Sequence, residues 1–174
     1  MAYGAAAQAQ FEHNANEPMN KGFAAVSYDA AVLNGVNLDI TANNTNGFLA
    51  KSATLELGGA FTYVFKYAVD ASLEGKTLRL TVTGAKTDDV ELVKRADGFY
   101  YAEVKDIAAK DMDTNLVVTP YVDGENVSGE ALTYSGYIYA GRTINKNASA
   151  NLVAVAQAFA MYVKAADVYF AGQN

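Results

Sequence analysis

Cysteine and tryptophan are absent from the 174-residue chain, and histidine occurs once, at His13. Without thiols there is no disulfide, no thiolate zinc site and no cysteine nucleophile. One imidazole cannot build a histidine metal centre. A Ser-His-Asp triad would have to use His13, in a polar stretch after the first helical segment, and no Gly-x-Ser-x-Gly elbow accompanies it. Arginine is scarce: Arg79, Arg95 and Arg142 are the only three, the ten lysines are scattered singly, and the net charge is −6. A nucleic-acid surface needs clustered cations to displace counterions, so no nucleic-acid partner is expected. Long apolar runs are also missing. The nearest, Leu152 to Phe170, is interrupted by Gln157, Lys164 and Asp167. It reads as an amphipathic helix, and no membrane insertion is expected. No leader peptide is read at Met1-Ala2-Tyr3, which opens directly into helix-like sequence, so an export signal would lie on another part of the protein.

The acids do not suggest catalysis. A glycosidase holds two carboxyls about 5–9.5 Å apart across a cleft. Here Asp88-Asp89-Glu91 and Asp106…Asp111-Met112-Asp113 fall in expected turns beside Lys86, Lys94, Lys105 and Lys110, as solvated loops do. No catalytic residue, and hence no enzyme, is expected. Loop Asp and Asn oxygens suit calcium, but no Asp-x-Asp-x-Asp-Gly spacing supports it, so no cofactor is expected either. Leu57-Gly58-Gly59-Ala60 reads as a strand connection and not as a phosphate-cradling loop.

Two helical signals stand at the ends. Leu152, Val155, Phe159, Tyr162, Val163, Ala166 and Phe170 recur at spacings of three and four, with Gln157 and Lys164 on the opposite side. Asn147 or Ser149 can cap the start, and Gly172 can end the helix in the left-handed conformation. Burial of Leu152, Val155, Phe159, Val163 and Phe170 would contribute about 1.5–3 kcal/mol each before entropy. The segment Tyr3 to Phe11 shares the frame Tyr-x-x-Ala-Ala-x-x-x-Phe with Tyr162 to Phe170, four of nine positions. One helix type closing two successive modules, the chain starting inside the first, accounts for this.

Between these ends the period is two. Ala53, Leu55 and Leu57 alternate with Ser52, Thr54 and Glu56; Leu78, Leu80 and Val82 alternate with Arg79, Thr81 and Thr83. Phe61, Tyr63, Phe65, Tyr67 and Val69 share a face apolar enough to read as core, with a ligand-binding platform as the alternative. Val90 to Arg95 and Phe99 to Val104 flank the turn Ala96-Asp97-Gly98. Leu116 to Val122 leads through Asp123-Gly124-Glu125-Asn126 to Val127–Thr133, and Pro120 marks an edge or a bulge. Seven short strands with turns every 8–12 residues or so predict a mainly β chain: an antiparallel β-sandwich flanked by an N-terminal helix and a C-terminal helical pair. The expected divisions are 1–14 helix, either the end of a preceding module or packed on the sandwich, 15–133 sandwich, and 134–174 helices packed on it. Glu12 to Asn46 is the least readable stretch, and Asn43-Asn44-Thr45-Asn46-Gly47 in it is a loop. Tyr134 to Ile144 suits a short helix by its Tyr134, Tyr137 and Gly141 spacing, and a strand by its alternation.

Twelve tyrosines make the aromatic rings the positive functional signal. Sugars lay C–H faces on aromatic rings while polar groups take the hydroxyls. Tyr100, Ala102 and Val104 share a face leading to Ile107, which reads as core, so Tyr101 points outward with Phe99 and Glu103. Tyr121 lies opposite Leu116, Val118 and Val122. Tyr137 and Tyr139, beside Arg142 and Asn145, fall where sheet hands over to helix. Phe99, Tyr101, Tyr121, Tyr137, Tyr139 and Arg142 are therefore the candidate ligand residues. Exposed tyrosines also serve β-propensity or seat protein partners.

Three runs carry a family resemblance: Tyr3-Gly4-Ala5-Ala6-Ala7-Gln8-Ala9-Gln10-Phe11, Asp97-Gly98-Phe99-Tyr100-Tyr101 through Ile107-Ala108-Ala109-Lys110-Asp111-Met112, and Ala158-Phe159-Ala160-Met161-Tyr162 with Ala165-Ala166-Asp167-Val168-Tyr169-Phe170. In them the chain resembles the β-sandwich-plus-helix modules of exported clostridial proteins from gut and rumen. The likeness covers most of the chain after Ser52. It implies a helical Tyr134–Ile144, an extracellular, secreted or surface-attached location, and neighbours within polysaccharide-degrading complexes. Two functions follow as expectations. One is a non-catalytic carbohydrate-binding module for plant or dietary polysaccharide. The other is a structural or protein–protein module that spaces or docks neighbouring domains.

Overall fold

A computed structural model describes residues 27–40, 46–57, 61–127, 131–146 and 148–172. The expected helix at 1–14, the loop positions Asn43 to Thr45, the connection Gly58-Gly59 and the cap candidate Asn147 lie outside the described residues. Among these residues nine strands and two α-helices follow in order: β1 Phe48–Leu57, β2 Phe61–Val69, β3 Leu78–Gly84, β4 Asp88–Glu91, β5 Val93–Lys94, β6 Tyr100–Ile107, β7 Leu116–Val122, β8 Glu125–Asn126, β9 Leu132–Tyr134, α1 Gly136–Asn145 and α2 Ala150–Ala171. They divide into two compact units. Asp39–Ser135 holds every described strand; the described residues up to Leu38 and from Gly136 onward make the other.

In the strand unit, all pairings are antiparallel. One sheet has the order β1-β2-β6-β5, and the other runs β4-β3-β7-β8 with β9 also on β7. The period-two pattern explains which side chains turn inward. Leu78, Leu80 and Val82 are buried, as are Leu116, Val118 and Val122 across the ladder. Tyr63, Phe65 and Tyr67 are buried on β2, so the aromatic stripe is core. The two sheets meet at Tyr134 of β9. Its ring stands edge-on to Tyr63 at 5.5 Å and to Phe65 at 5.9 Å, and its hydroxyl donates to the Ala53 carbonyl of β1 at 2.9 Å.

Several local features differ from the alternation read in the sequence, each for a definable reason. Val90 to Arg95 is not one strand. Asp88–Glu91 pairs with β3 in one sheet and Val93–Lys94 with β6 in the other. Buried Leu92 marks the crossing, its N–H donating to Leu78 O at 2.9 Å. Strands that change sheets in this way form the corners of two-layer β structures. Asp88, Asp89 and Glu91 therefore sit on an edge strand and not in a turn, where their charge discourages further pairing. Asp106 adopts φ +58° where the β2–β6 register shifts, and this bulge lets both Val104 and Ile107 face inward. After β7 the turn is only Asp123-Gly124, with φ of +50° and +89°, a two-residue primed hairpin that puts Glu125 opposite Val122. Pro120 is not on an edge strand. It lies where the outer partner of β7 changes from β9, ending at Val118 opposite Leu132, to β8, beginning at Tyr121 opposite Asn126. A residue without an N–H fits that interruption.

The Tyr67 hydroxyl is buried and, among the described residues, has no hydrogen-bond partner, and burial raises its pKa above the usual phenol value. Its ring stands edge-on to Phe48 at 6.2 Å. Removing an unsatisfied buried hydroxyl relieves a desolvation cost. Tyr67→Phe is expected to raise stability by about 1 kcal/mol, read as a higher urea midpoint at unchanged slope.

In the helical unit α1 begins at Gly136, with Tyr134 still in β9, so the helix expected at Tyr134–Ile144 starts two residues later than its tyrosine spacing suggested. In α1, a Cβ on Gly141 would lie 2.5 Å from Leu38 Cδ2, and the missing side chain admits that close approach. Ser149 caps α2, accepting from Leu152 N at 3.3 Å. Gly172 does not take the left-handed conformation. Its φ of −77° continues the right-handed spiral, and its N–H reaches Val168 O.

Candidate functional site

Phe99 and Tyr101 stand together at the β5–β6 hairpin. The turn forms because Gly98, at φ +82°, supplies the left-handed position of a three-residue loop closed by Arg95 N–H to Phe99 O. Cross-strand register then puts Lys66 opposite Tyr101. The Lys66 ammonium lies 4.0 Å from the Phe99 ring centre, and the Arg95 guanidinium lies 4.2 Å from that of Tyr101. Both rings therefore already carry a cation over one face, each contact contributing about 0.5–1 kcal/mol at an exposed site. Asp97 ties the group together. Its Oδ2 accepts from the Tyr101 hydroxyl at 2.6 Å and from Lys66 Nζ at 2.9 Å, while Arg95 pairs with Glu103. The cluster is saturated with internal partners.

The Tyr101 hydroxyl, followed by the Lys66 ammonium, lowers the Asp97 pKa from 3.8 to about 2. A carboxyl depressed on folding adds stability above its unfolded pKa, and loses it as pH falls through the folded value. The Asp97 contribution is thus intact above pH 4 or so and fades towards pH 2. Tyr101→Phe removes the larger cause. A carboxyl-carbon NMR titration is expected to find the Asp97 midpoint near 2 in the parent and displaced towards 3.8 in the variant.

The remaining candidates belong to other elements. Tyr121 is half-buried on β7 of the other sheet, opposite Arg79, whose guanidinium is held by Asp89 at 2.7 Å. Tyr137, Tyr139 and Arg142 are on α1, in the helical unit. The Tyr139 ring stands edge-on to Phe159 of α2 at 6.0 Å, and burial raises its pKa against an opposing hydrogen bond with Thr143. Arg142 Nη1 donates to Leu38 O at 2.8 Å. Tyr139 and Arg142 therefore hold the helical unit together. Among the described residues, no group of three His, Cys, Asp or Glu side chains is placed to hold a metal ion.

One surface feature escaped the reading of the sequence. On α2, Val155, Ala156, Phe159, Ala160 and Val163 are buried, but Phe170 at the end of the expected seam is 43% exposed and Leu152 is half-buried. Met161, Lys164, Ala165, Val168 and Tyr169 line a second stripe, with Val168 65% and Tyr169 62% exposed. At about 100° per residue the stripe's centre lies roughly 180° from that of the buried face. The helix is thus apolar on two opposed sides, and not amphipathic. Among the described residues it is the one helix long and apolar enough to cross a membrane by length and composition. The signal was in the sequence. Positions 161, 165, 168 and 169 keep helical spacing in a register separate from the core seam.

No protein-family model, no curated protein and no solved structure matches the chain.

Proposed function

We propose that the chain is a non-catalytic docking module, a β-sandwich with a helical pair that spaces or joins neighbouring parts of a larger exported surface protein. The observation that carries this reading is the second apolar stripe of α2, since a helix apolar on opposite sides serves as a layer between two partners. The clostridial resemblance supports the modular and extracellular setting. The same resemblance supports a second reading, glycan binding at Phe99 and Tyr101, whose rings lie beside the polar groups of Asp97 and Glu103. That reading requires Lys66 and Arg95 to leave the ring faces they cover.

Affinity electrophoresis through gels containing starch, β-glucan, xylan or mannan separates the two. Docking predicts no retardation in any gel. Retardation that Tyr101→Ala abolishes, without unfolding the protein, would move the function to the hairpin cluster.

A further inference from the structure

The second stripe of α2 carries a heptad of its own. Ala154, Ala158, Met161, Ala165, Val168 and Gly172 follow one another at alternating spacings of four and three, and all are exposed or half-buried. A strict 3.5-residue period is the seam of one helix packed along another, narrower than the face that seats a helix on a globular core. The seam is also complementary to itself. Let two copies lie antiparallel about a twofold axis midway between Met161 and Ala165. Met161 of one copy is then level with Ala165 of the other, Ala158 with Val168, and Ala154 with Gly172. Each large side chain meets a small one, as interdigitation requires. A parallel pair would set Met161 against Met161 and Ala165 against Ala165, crowded at one level and void at the next. Antiparallel helices also place opposite dipole ends side by side.

Charge on the rim agrees. Lys164 flanks the seam and pairs with Asp29 at 3.2 Å, both side chains about half exposed. The same axis brings the Lys164 side chains of the two copies towards each other, and each arrives with an Asp29 carboxylate. Four charges of alternating sign then pair crosswise between the copies. Resting on the docking reading above, we propose that the occupant of the stripe is α2 of a second copy of this chain, paired antiparallel. The seam runs about 27 Å at 1.5 Å per residue, and a strip as wide as a helix, about 10–12 Å, covers about 300 Å² on each copy. That is the size of a functional surface patch. Over two copies it falls below the roughly 1,000 Å² of a stable interface, so the pair is reversible and concentration-dependent.

The test is sedimentation velocity on the full chain over rising concentration, at about 0.15 M salt, where repulsion between acidic copies is screened beyond about 8 Å. The mean mass should climb from one chain towards two. Val168→Glu and Ala158→Lys each bury an unpaired charge in the seam, and each should weaken pairing at least about tenfold. Combined in one chain they set a lysine level with a glutamate at two places, which should restore most of the loss. Unchanged circular dichroism will show that α2 folds in all three. Pairing that Val168→Glu leaves intact, or that the combination fails to restore, overturns the proposal. A parent that stays monomeric overturns it too, as does a monomer that cosediments with phosphatidylcholine vesicles and so takes a lipid surface instead. In a monomeric parent, fast oxidation of Met161 leaves the docking reading standing with a different partner. Oxidation as slow as that of buried Met112 ends both.

Discussion

Gly84→Ala is expected to abolish cooperative folding of the strand unit, or to leave it barely stable. Gly84 closes β3 at φ +99°, and a Cβ there would lie 2.0 Å from the Asn115 carbonyl oxygen. That obstacle is backbone and cannot rotate away. It is also anchored, because Gly84 pairs with Leu116 and the Ala85 N–H donates to Asn115 O at 3.2 Å. The left-handed backbone alone costs an alanine about 1–2 kcal/mol. Relieving the overlap means shifting the start of β7, so a total above about 4 kcal/mol is expected, against a typical domain stability of about 5–15 kcal/mol. Gly98 provides the control. Its φ is +82° but a Cβ there would meet nothing within 4 Å, so Gly98→Ala carries only the conformational cost. Urea denaturation followed by circular dichroism should separate the two variants clearly. Equal midpoints would show that β3 and β7 do not meet as described.

Tyr134 carries the second large effect. It is 1% exposed, lies against Tyr63 and Phe65 of the opposite sheet, and bonds to Ala53 O. Tyr134→Ala is expected to cost about 3–5 kcal/mol, because the cavity opens between two sheets that collapse only partly. Tyr134→Phe retains the rings and loses one hydrogen bond, so about 1 kcal/mol is expected. A difference of at least about 2 kcal/mol between the variants identifies ring packing as the dominant contact. Equal losses would assign the join to the hydroxyl instead.

What the sequence made legible follows from periodicity. The alternation of Leu78, Leu80 and Val82 with Arg79 and Thr81 gives a half-buried strand wherever it occurs, and this strand is found as read. The outward direction of Tyr101 was equally accessible, since parity along β6 sets it. Parity cannot reveal pairing. Nothing local says that Leu92 divides one apparent strand between two sheets, or that Lys66 comes to lie over Phe99 from a separate strand. Those are long-range register effects, and they decide whether an outward ring is open to a ligand. Tyr139 and Arg142 illustrate the same limit, because their partners Phe159 and Leu38 are distant in sequence. The α2 stripe was missed for another reason. Two opposed apolar faces look like one broad face when only the better-spaced register is counted.

Methionine oxidation gives the most direct measurement. Met112 is fully buried and reports the rate of a shielded thioether, while Met161 lies on the stripe. In dilute peroxide, with the chain monomeric, an open second face on α2 requires Met161 to oxidise far faster than Met112. Oxidation of Met161 as slow as that of Met112 would mean that α2 presents no such face to a partner.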